Sequence, residues 1–180
     1  RKKREREINY LLYRDALTGI YNRRFFEEEM KRLDTKRQLP ISIIMGDLNG
    51  LKIINDSYGH DKGDKMLIET AKMLKKEIRE EDILARHGGD EFTILLPQTA
   101  NEEAQKIVKR IKNKNLKITK DKIPISIGLG VATKNNQNED INEILKKADN
   151  QMYKNKLSES RSTKNKIVEN LINTLGAKSS

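Results

Sequence analysis

Apolar residues along the chain follow two spacings, one typical of strands and one typical of helices. Two runs, 41–45 and 92–96, are apolar except for Ser42 and Thr93 and have the length of buried strands. A shorter apolar run, 83–85, precedes the second of them. The run 123–131 alternates between apolar and small or polar residues, and Pro124 lies near its start, a position that strands tolerate. The pattern therefore predicts four strands.

Between and around these strands, apolar residues recur every three or four positions, which predicts amphipathic helices. The predicted helices cover residues 23–33, 59–80, 101–112 and 141–156. Asn22 is a residue type that caps helices and precedes the first of them. The resulting order, β-α-β-β-α-β with flanking helices, predicts an α+β fold with a ferredoxin-like antiparallel sheet.

The N-terminal stretch 1–16 is highly charged, with Ile8, Leu11 and Leu12 at helical spacing. A frayed tail, a helix packed on its own domain, and the end of a coiled linker from an upstream sensor all fit this pattern. We expect residues 1–14 to be such a linker helix. The chain begins at an arginine, so we also expect it to be part of a longer protein.

The C-terminal residues 161–180 are predicted to form a linker and a helix. Residues 158–166 are rich in Ser, Lys, Arg and Asn, which is typical of a linker. A short amphipathic helix ending at Gly176 is predicted next. Its apolar residues are Ile167, Val168, Leu171, Ile172 and Leu175. A helix that packs on the domain or on a partner explains this pattern equally well.

The 180-residue chain is long enough for one domain with a substantial core. Its net charge of +10 suits a polyanionic ligand such as a nucleoside triphosphate, a nucleic acid or an acidic membrane. Aromatic residues make up only 4%, too few for the base-stacking surfaces of single-strand binders. We therefore expect no nucleic-acid partner, although the charge alone keeps a nucleic-acid binder as a weaker alternative.

The chain contains no cysteine, which excludes disulfides and Cys–zinc sites and permits a reducing compartment. No apolar run reaches the roughly 18 residues that a membrane span requires. We expect a cytoplasmic location, which includes the cytoplasmic part of a membrane-anchored sensor.

The stretch 86–92 carries the densest chemistry of the chain: Arg-His-Gly-Gly-Asp-Glu-Phe. Its two glycines lie between strand-like runs and predict a two-residue hairpin turn at Gly88 and Gly89, where positive φ is needed. Asp90 and Glu91 follow directly, and a divalent cation would offset the repulsion between them. Taken alone, a solvated turn with surface acids explains this pattern equally well.

This heptapeptide resembles the signature of the GGDEF family, the diguanylate cyclases. Three further segments resemble motifs of that family in the same order: 15–26, 47–64 and 148–156. The resemblance covers roughly residues 12–160, so we expect the domain to span 15–160. It implies a polymerase-palm-like architecture and a nucleotidyltransferase that condenses two GTP into cyclic di-GMP and two pyrophosphates across a homodimer.

The resemblance implies two metal ions per active site, Mg²⁺ or Mn²⁺, held by Asp47, the Leu48 carbonyl and Asp90. Carboxylate and carbonyl oxygens suit Mg²⁺, which keeps substrate phosphates in its shell. Glu91 would act beside Asp90, either positioning the metals or deprotonating the attacking 3′-hydroxyl. Taken alone, Asp47 is better explained as an ordinary aspartate at the end of a strand or in a turn.

Phosphate binding is implied for Gly50, Leu51 and Lys52, whose backbone N–H groups and ammonium suit an anion. Lys156 and Arg161 would contact the triphosphate from the closing helix. The chain departs from the family pattern at three places. Asn49 and Leu51 stand where an acid and an aromatic residue are usual, and Arg161 lies one position later than the usual arginine.

Guanine recognition is implied for Asn55 and Asp64. A carboxylate accepts from N1–H and the amino group of guanine together, and adenine offers no such pair of donors. Without the resemblance, both residues would be interpreted as helix caps.

Arg79 and Asp82 have the spacing and position of the family's inhibitory site for the product, cyclic di-GMP. Arginine suits phosphate and guanine, and aspartate suits the guanine edge.

The C-terminal helix resembles a connector to an HD-type phosphodiesterase domain, so we expect fused sensor or phosphodiesterase domains. An alternative function from a different class is a catalytically silent module that binds GTP or cyclic di-GMP and regulates a neighbouring domain. The departures at positions 49, 51 and 160–161 motivate that alternative, and the intact 88–92 stretch argues against it.

Overall fold

The structure is a computed structural model that describes residues 1–114, 117–118 and 123–179. The elements in chain order are α1 (Lys2–Tyr13), β1 (Tyr21–Asn22), α2 (Arg23–Leu33), β2 (Ile41–Leu48), α3 (Leu51–Tyr58), α4 (His60–Glu77), β3 (Ile83–Gly88), β4 (Glu91–Leu96), α5 (Asn101–Lys112), β5 (Lys117–Ile118), β6 (Ile123–Pro124), β7 (Ile127–Lys134) and α6 (Ile141–Ser179). No described helix combines the length and the apolar composition that crossing a bilayer requires.

The main sheet of the described chain has five strands in the order β1-β3-β4-β2-β7. Within the series β3-β4-β2-β7 each pair of adjacent strands is antiparallel, which is the ferredoxin-like arrangement. The predicted α+β class is confirmed. The short β1 pairs in parallel with β3, so the complete sheet is mixed rather than purely antiparallel.

Each face of the sheet buries a separate apolar cluster. Along β2, Ile44 and Leu48 contribute to the cluster beneath α3, α4 and α5, and Ile43 and Met45 contribute to the cluster beneath α2 and the first half of α6. The central strand is buried on both sides because side chains alternate between faces. This explains why residues 41–45 are apolar except for Ser42, whose hydroxyl donates to the carbonyl of Thr99.

The helix α6 lies unusually close to β7. A Cβ added at Gly130 would overlap the backbone of Ala148 and Met152, and one added at Gly128 would lie 3.2 Å from Lys156 Cα. Glycines at these two strand positions therefore let the helix backbone pack directly on the sheet. The close approach carries Lys156 to the end of β2.

The structure corrects the predicted boundaries between residues 50 and 80. Residues 51–58, left without an element in the prediction, form α3, and the helix predicted over 59–80 is α4 at 60–77. The short α3 is stabilised by packing against α4, with Ile54 fully buried, rather than by a long periodic pattern.

The hairpin turn lies one residue later than predicted. Gly88 pairs with Glu91, so the two turn residues are Gly89 and Asp90, and β3 contains an irregularity between Arg86 and Gly88. Gly89 has φ +47°, whereas Gly88 belongs to the strand. This shift places Asp90 in the turn itself.

Two other predicted boundaries were wrong. The run 123–131 is divided, because β6 pairs with β5 in a separate ribbon while β7 joins the main sheet. The predicted linker at 158–166 is helical, since α6 continues from Ile141 to Ser179. That stretch contains no Gly or Pro, and its tertiary contacts keep it helical. Ser180 lies outside the described residues.

The N-terminal helix α1 is exposed along its length. Its residues Ile8 and Leu11 are 50% and 78% exposed, and none of its residues is buried. Its C-terminal end touches α2, where the rings of Tyr13 and Phe25 meet edge to face. The predicted helix is therefore present, and its apolar seam does not pack on the domain.

Candidate active site

Asp47 lies near the end of the central strand β2, beside three other elements that carry functional groups. It is paired with Glu91 on β4 and with Gly128 on β7. The next residue, Leu48, donates its N–H to the carbonyl of Asp90 at 3.0 Å. The register of the sheet thus brings together Asp47, Asp90 and Glu91, as the sequence predicted.

Lys156 completes this cluster from α6. Its Nζ lies 3.0 Å from Asp47 Oδ2. Burial lowers the pKa of Lys156, but the hydrogen bond with Asp47 and the negative charges of Asp47, Asp90 and Glu91 outweigh it and raise that pKa. The lysine therefore faces all three carboxylates.

Asp47 is 5% exposed, and its environment changes its ionisation. Burial raises its pKa, the hydrogen bond from Lys156 lowers it, and the neighbouring Asp90 raises it, with a net value of about 6. Its Oδ1 atom is buried with no hydrogen-bond partner. A hard divalent cation would bind this buried carboxylate oxygen and compensate for the missing hydrogen bond.

The donors around Asp47 fit a magnesium-type ion. Within the ranges that the structure describes, no group of three or more His, Cys, Asp or Glu side chains is arranged to hold a metal. The available oxygens are the carboxylates of Asp47 and Asp90 and main-chain carbonyls such as that of Leu48. This oxygen set suits Mg²⁺, which takes one or two carboxylates and completes its shell with water and substrate phosphates.

The hairpin turn is anchored to the segment between α1 and β1. Arg86 donates from Nε to the carbonyl of Gly89 at 2.9 Å and pairs with Asp15 at 3.2 Å. Asp15 also accepts from the N–H and the hydroxyl of Thr18. The 15–26 motif therefore shapes the chain before α2 and also fixes the turn that carries Asp90.

The loop after β2 leads into α3 with an uncapped helix start. Gly50 is the N-cap residue in a left-handed conformation, φ +81°, and it has no side chain to bond the first-turn amides. Asn49 is fully buried and donates to Ser126 Oγ at 3.0 Å. The N–H groups at the start of α3, with Leu51 half-buried and Lys52 exposed, are available to an anion.

Asn55 and Asp64 lie on either side of the junction between α3 and α4. Asn55 is half-buried, its Oδ1 has no hydrogen-bond partner, and it packs so closely on Gly63 that a Cβ there would overlap it. Asp64 is exposed on the next residue of α4. Both side chains thus belong to one helix pair. Gly63, which the sequence reasoning did not single out, sets the position of Asn55.

Arg161 lies apart from Lys156. Both residues are on α6, and five residues correspond to about 140° around a helix axis. Arg161 is exposed, so the structure does not bring it beside Lys156. The one-residue shift from the family pattern therefore changes the direction of this side chain.

Arg79 and Asp82 form a compact cluster just before β3, at the opposite end of this strand from the Gly89–Asp90 turn. Arg79 Nη2 donates to Asp82 at 3.1 Å, to the carbonyl of Pro97 and to Thr99. Burial raises the pKa of Asp82 although Arg79 lowers it. Both residues line a cleft of about 440 Å³ that Arg14 also borders.

The arrangement of acids at the end of β2 and on a Gly-Gly-Asp-Glu turn matches a known family. The family described as "Diguanylate cyclase, GGDEF domain" matches residues 12–162. The chain belongs to the GGDEF family. It is 34% identical over 167 residues to the probable diguanylate cyclase DgcT of Escherichia coli, covering 88% of this chain and 36% of DgcT.

Other GGDEF relatives agree with this assignment. The chain is 32% identical over 153 residues to the response regulator PleD of Caulobacter vibrioides, covering 80% of this chain and 34% of PleD. It resembles the active GGEEF domain of a Vibrio cholerae diguanylate cyclase, with a TM-score of 0.68 and 32% identity, covering 74% of this chain and 88% of that one. The chain thus spans about a third of the two curated relatives.

Proposed function

We propose that this GGDEF domain is a diguanylate cyclase that condenses two GTP into cyclic di-GMP and two pyrophosphates. The observation that carries the proposal is the cluster of Asp47, Asp90, Glu91 and Lys156 at one end of the sheet. Paired acids beside a lysine suit an anionic substrate that arrives with divalent cations.

Asp47, Asp90 and the Leu48 carbonyl would hold Mg²⁺ or Mn²⁺, two ions per active site. The ions, when bound, would activate the attacking hydroxyl and stabilise the departing pyrophosphate. Asp47 Oδ1, buried without a partner, supports this role. Glu91, paired with Asp47 across the sheet, would orient the ion-binding acids or accept the 3′-hydroxyl proton.

The triphosphate would bind between the start of α3 and the face of α6. The backbone N–H groups at Gly50 and Leu51, with the exposed Lys52, would contact phosphate oxygens. Lys156 would neutralise charge from the opposite side while remaining near Asp47. Arg161 is assigned no contact, because it is exposed and about 140° from Lys156 around the helix.

Asn55 and Asp64 would bind guanine at the junction of α3 and α4. The unpartnered Asn55 oxygen would accept from a guanine N–H, and the exposed Asp64 carboxylate would accept from N1–H and the amino group. ATP would leave both acceptors without donors, so the site would reject it.

Each domain has one such site, so two domains must face each other. The 3′-oxygen of each GTP attacks the α-phosphorus of the other, a new ester bond forms, and the bond to pyrophosphate breaks. Two such steps close the ring and release two pyrophosphates.

The solved diguanylate cyclase SiaD of Pseudomonas aeruginosa, 29% identical with a TM-score of 0.73, is in complex with its activator SiaC. We infer that partners or fused domains likewise control this domain.

The cleft at Arg79 and Asp82 would bind the product and inhibit the enzyme. Arg79 is about half exposed and already oriented by Asp82, Pro97 and Thr99, so its guanidinium is preorganised for a phosphate or a guanine. Arg14 borders the same cleft and adds a second positive charge. Replacing Arg79 with alanine should therefore relieve product inhibition.

The decisive experiment incubates the purified protein with GTP and Mg²⁺ and quantifies cyclic di-GMP by chromatography over a series of enzyme concentrations. We expect a rate that rises faster than linearly with enzyme, as a dimer of one-GTP sites requires. Asp90→Asn should abolish turnover and leave the fold intact, and the exposed Asp149→Asn is the matched control. GTP binding without product would favour the silent regulatory module.

A further inference from the structure

The second half of α6 packs against the loop to which we assign phosphate binding. Ile167 is 0% exposed and Thr163 is 3% exposed, although both lie in the stretch predicted as linker and terminal helix. A Cβ added at Gly50 would lie 2.8 Å from Ile167 Cδ1 and 3.3 Å from Thr163 Cγ2. The helix therefore touches the loop backbone directly at Gly50.

These contacts come from the same helix face that carries Lys156. Thr163 follows Lys156 by seven residues and Ile167 follows it by eleven, which returns each side chain to within about 20° of the Lys156 direction. The three residues span about 16 Å along the axis. One face of α6 thus supplies a phosphate-facing lysine and, farther along, two residues against the loop on the other side of the site.

The conformation at Gly50 decides where the α3 amides point. Gly50 has φ +81° and caps a helix of only eight residues. Its neighbour Asn49 is held from the core side, where its N–H donates to the Ser126 carbonyl at 2.9 Å and its side chain donates to Ser126 Oγ. Thr163 and Ile167 close the α6 side of the loop, so a small movement of α6 would move Gly50.

We propose that Ile167 and Thr163 are positioning residues for the triphosphate: by packing on Gly50 they hold the first amides of α3 in the direction that binds phosphate oxygens. This proposal rests on the proposed function, because it deepens the role of the same loop. It also means that the C-terminal half of α6 controls nucleotide affinity, so any domain that follows can act on the site by shifting this helix.

A residue that only stabilised the core would affect all ligands alike. The positioning role predicts that Ile167→Ala weakens a ligand that carries β- and γ-phosphates far more than one that lacks them. A suitable pair of ligands is α,β-methylene-GTP, which carries the β- and γ-phosphates but cannot be turned over, and GMP, which lacks them but keeps the guanine. Isothermal titration calorimetry gives both dissociation constants.

We expect Ile167→Ala to raise the Kd of α,β-methylene-GTP about tenfold, as for one lost hydrogen bond to a charged group, and to leave GMP nearly unchanged. Ile167→Leu keeps a δ-methyl group that can reach Gly50 and should retain the affinity. Thr163→Ser removes only the methyl that faces Gly50 and should weaken the same ligand to a smaller extent.

The matched control is Ile144→Ala, an equally buried isoleucine on the same helix in the other apolar cluster. It should lower the melting temperature comparably and change neither affinity. Equal weakening of the two ligands by Ile167→Ala, or no weakening of either, would overturn the positioning role while leaving the cyclase proposal standing. A wild-type protein that bound neither ligand would overturn both.

Discussion

The Lys156 ammonium is held 3.0 Å from Asp47 Oδ2 by the packing of α6 on two strand glycines. Gly128 is the strand partner of Asp47 and lies directly beneath Lys156 Cα. The positions of the lysine to which we assign phosphate binding and of the acid to which we assign metal binding therefore depend on one contact. A side chain at Gly128 would force the helix, and Lys156 with it, away from the site.

Replacing Lys156 with methionine should weaken binding of the triphosphate. The change removes the charge near Asp47 and Asp90 and keeps most of the apolar stem. We expect a loss of GTP affinity of about 10- to 100-fold, as for a hydrogen bond to a charged group. Titration calorimetry with α,β-methylene-GTP measures it. The exposed neighbour Lys154→Met is the control, and equal losses in both variants would contradict the specific role of Lys156.

Replacing Gly130 with alanine should destabilise the domain. The added Cβ would overlap the backbone of Ala148 and Met152, and backbone cannot rotate away as a side-chain tip can. Overpacking of this kind costs about 1–3 kcal/mol in the free energy of unfolding. Urea denaturation measures this loss. Gly176 is an exposed glycine on α6, the helix that packs on Gly130. Its replacement with alanine should instead be neutral or stabilising by up to about 1 kcal/mol.

Replacing Gly63 with alanine should impair guanine binding while the fold survives. The new methyl would meet the tip of Asn55, a side chain that can rotate away from its present position. We expect GTP affinity to fall about tenfold. A double-mutant cycle tests the cause, because Gly63→Ala should add little once Asn55 is already alanine. Additive losses would show that Gly63 acts elsewhere.

Replacing Asp15 with asparagine should reduce stability in a pH-dependent way. Burial raises the pKa of Asp15, but hydrogen bonds from Thr18 and the charge of Arg86 outweigh it, so that its pKa is lowered in the folded state. The ionised Asp15 carboxylate therefore stabilises the folded state at pH values above about 3.9, the pKa of aspartate in the unfolded chain. This stabilisation is lost as the pH falls through the lower pKa that Asp15 has in the folded state.

We expect Asp15→Asn to lose about 1 kcal/mol of unfolding free energy at pH 7, after allowance for solvent screening of the pair. The difference from wild type should shrink as the pH falls below 4. Urea denaturation at pH 7 and pH 3 checks this. A difference that stayed constant between the two pH values would show that the charge of Asp15 contributes nothing.

Local patterns in the sequence were sufficient to predict the class of fold and to identify the acids of the candidate site. The largely apolar run at 41–45 indicated a buried strand, because a strand buried on both faces is apolar at most of its positions. The register that pairs Asp47 with Glu91 follows from that strand and the hairpin. The turn was displaced by one residue because an irregularity in β3 is not visible in the residue types.

The sequence by itself determined the family, the βαββαβ order and the identity of the acids, since these depend on residue types within short segments of the chain. Only the tertiary structure decided that α6 runs unbroken past residue 158, that Arg161 points away from Lys156, and that Ile167 reaches Gly50. The contacts of Thr163 and Ile167 with Gly50 join residues more than 100 positions apart, and the direction of Arg161 follows from the unbroken helix. Such contacts convert a polar stretch of weak periodicity into a packed helix, and no local pattern encodes them.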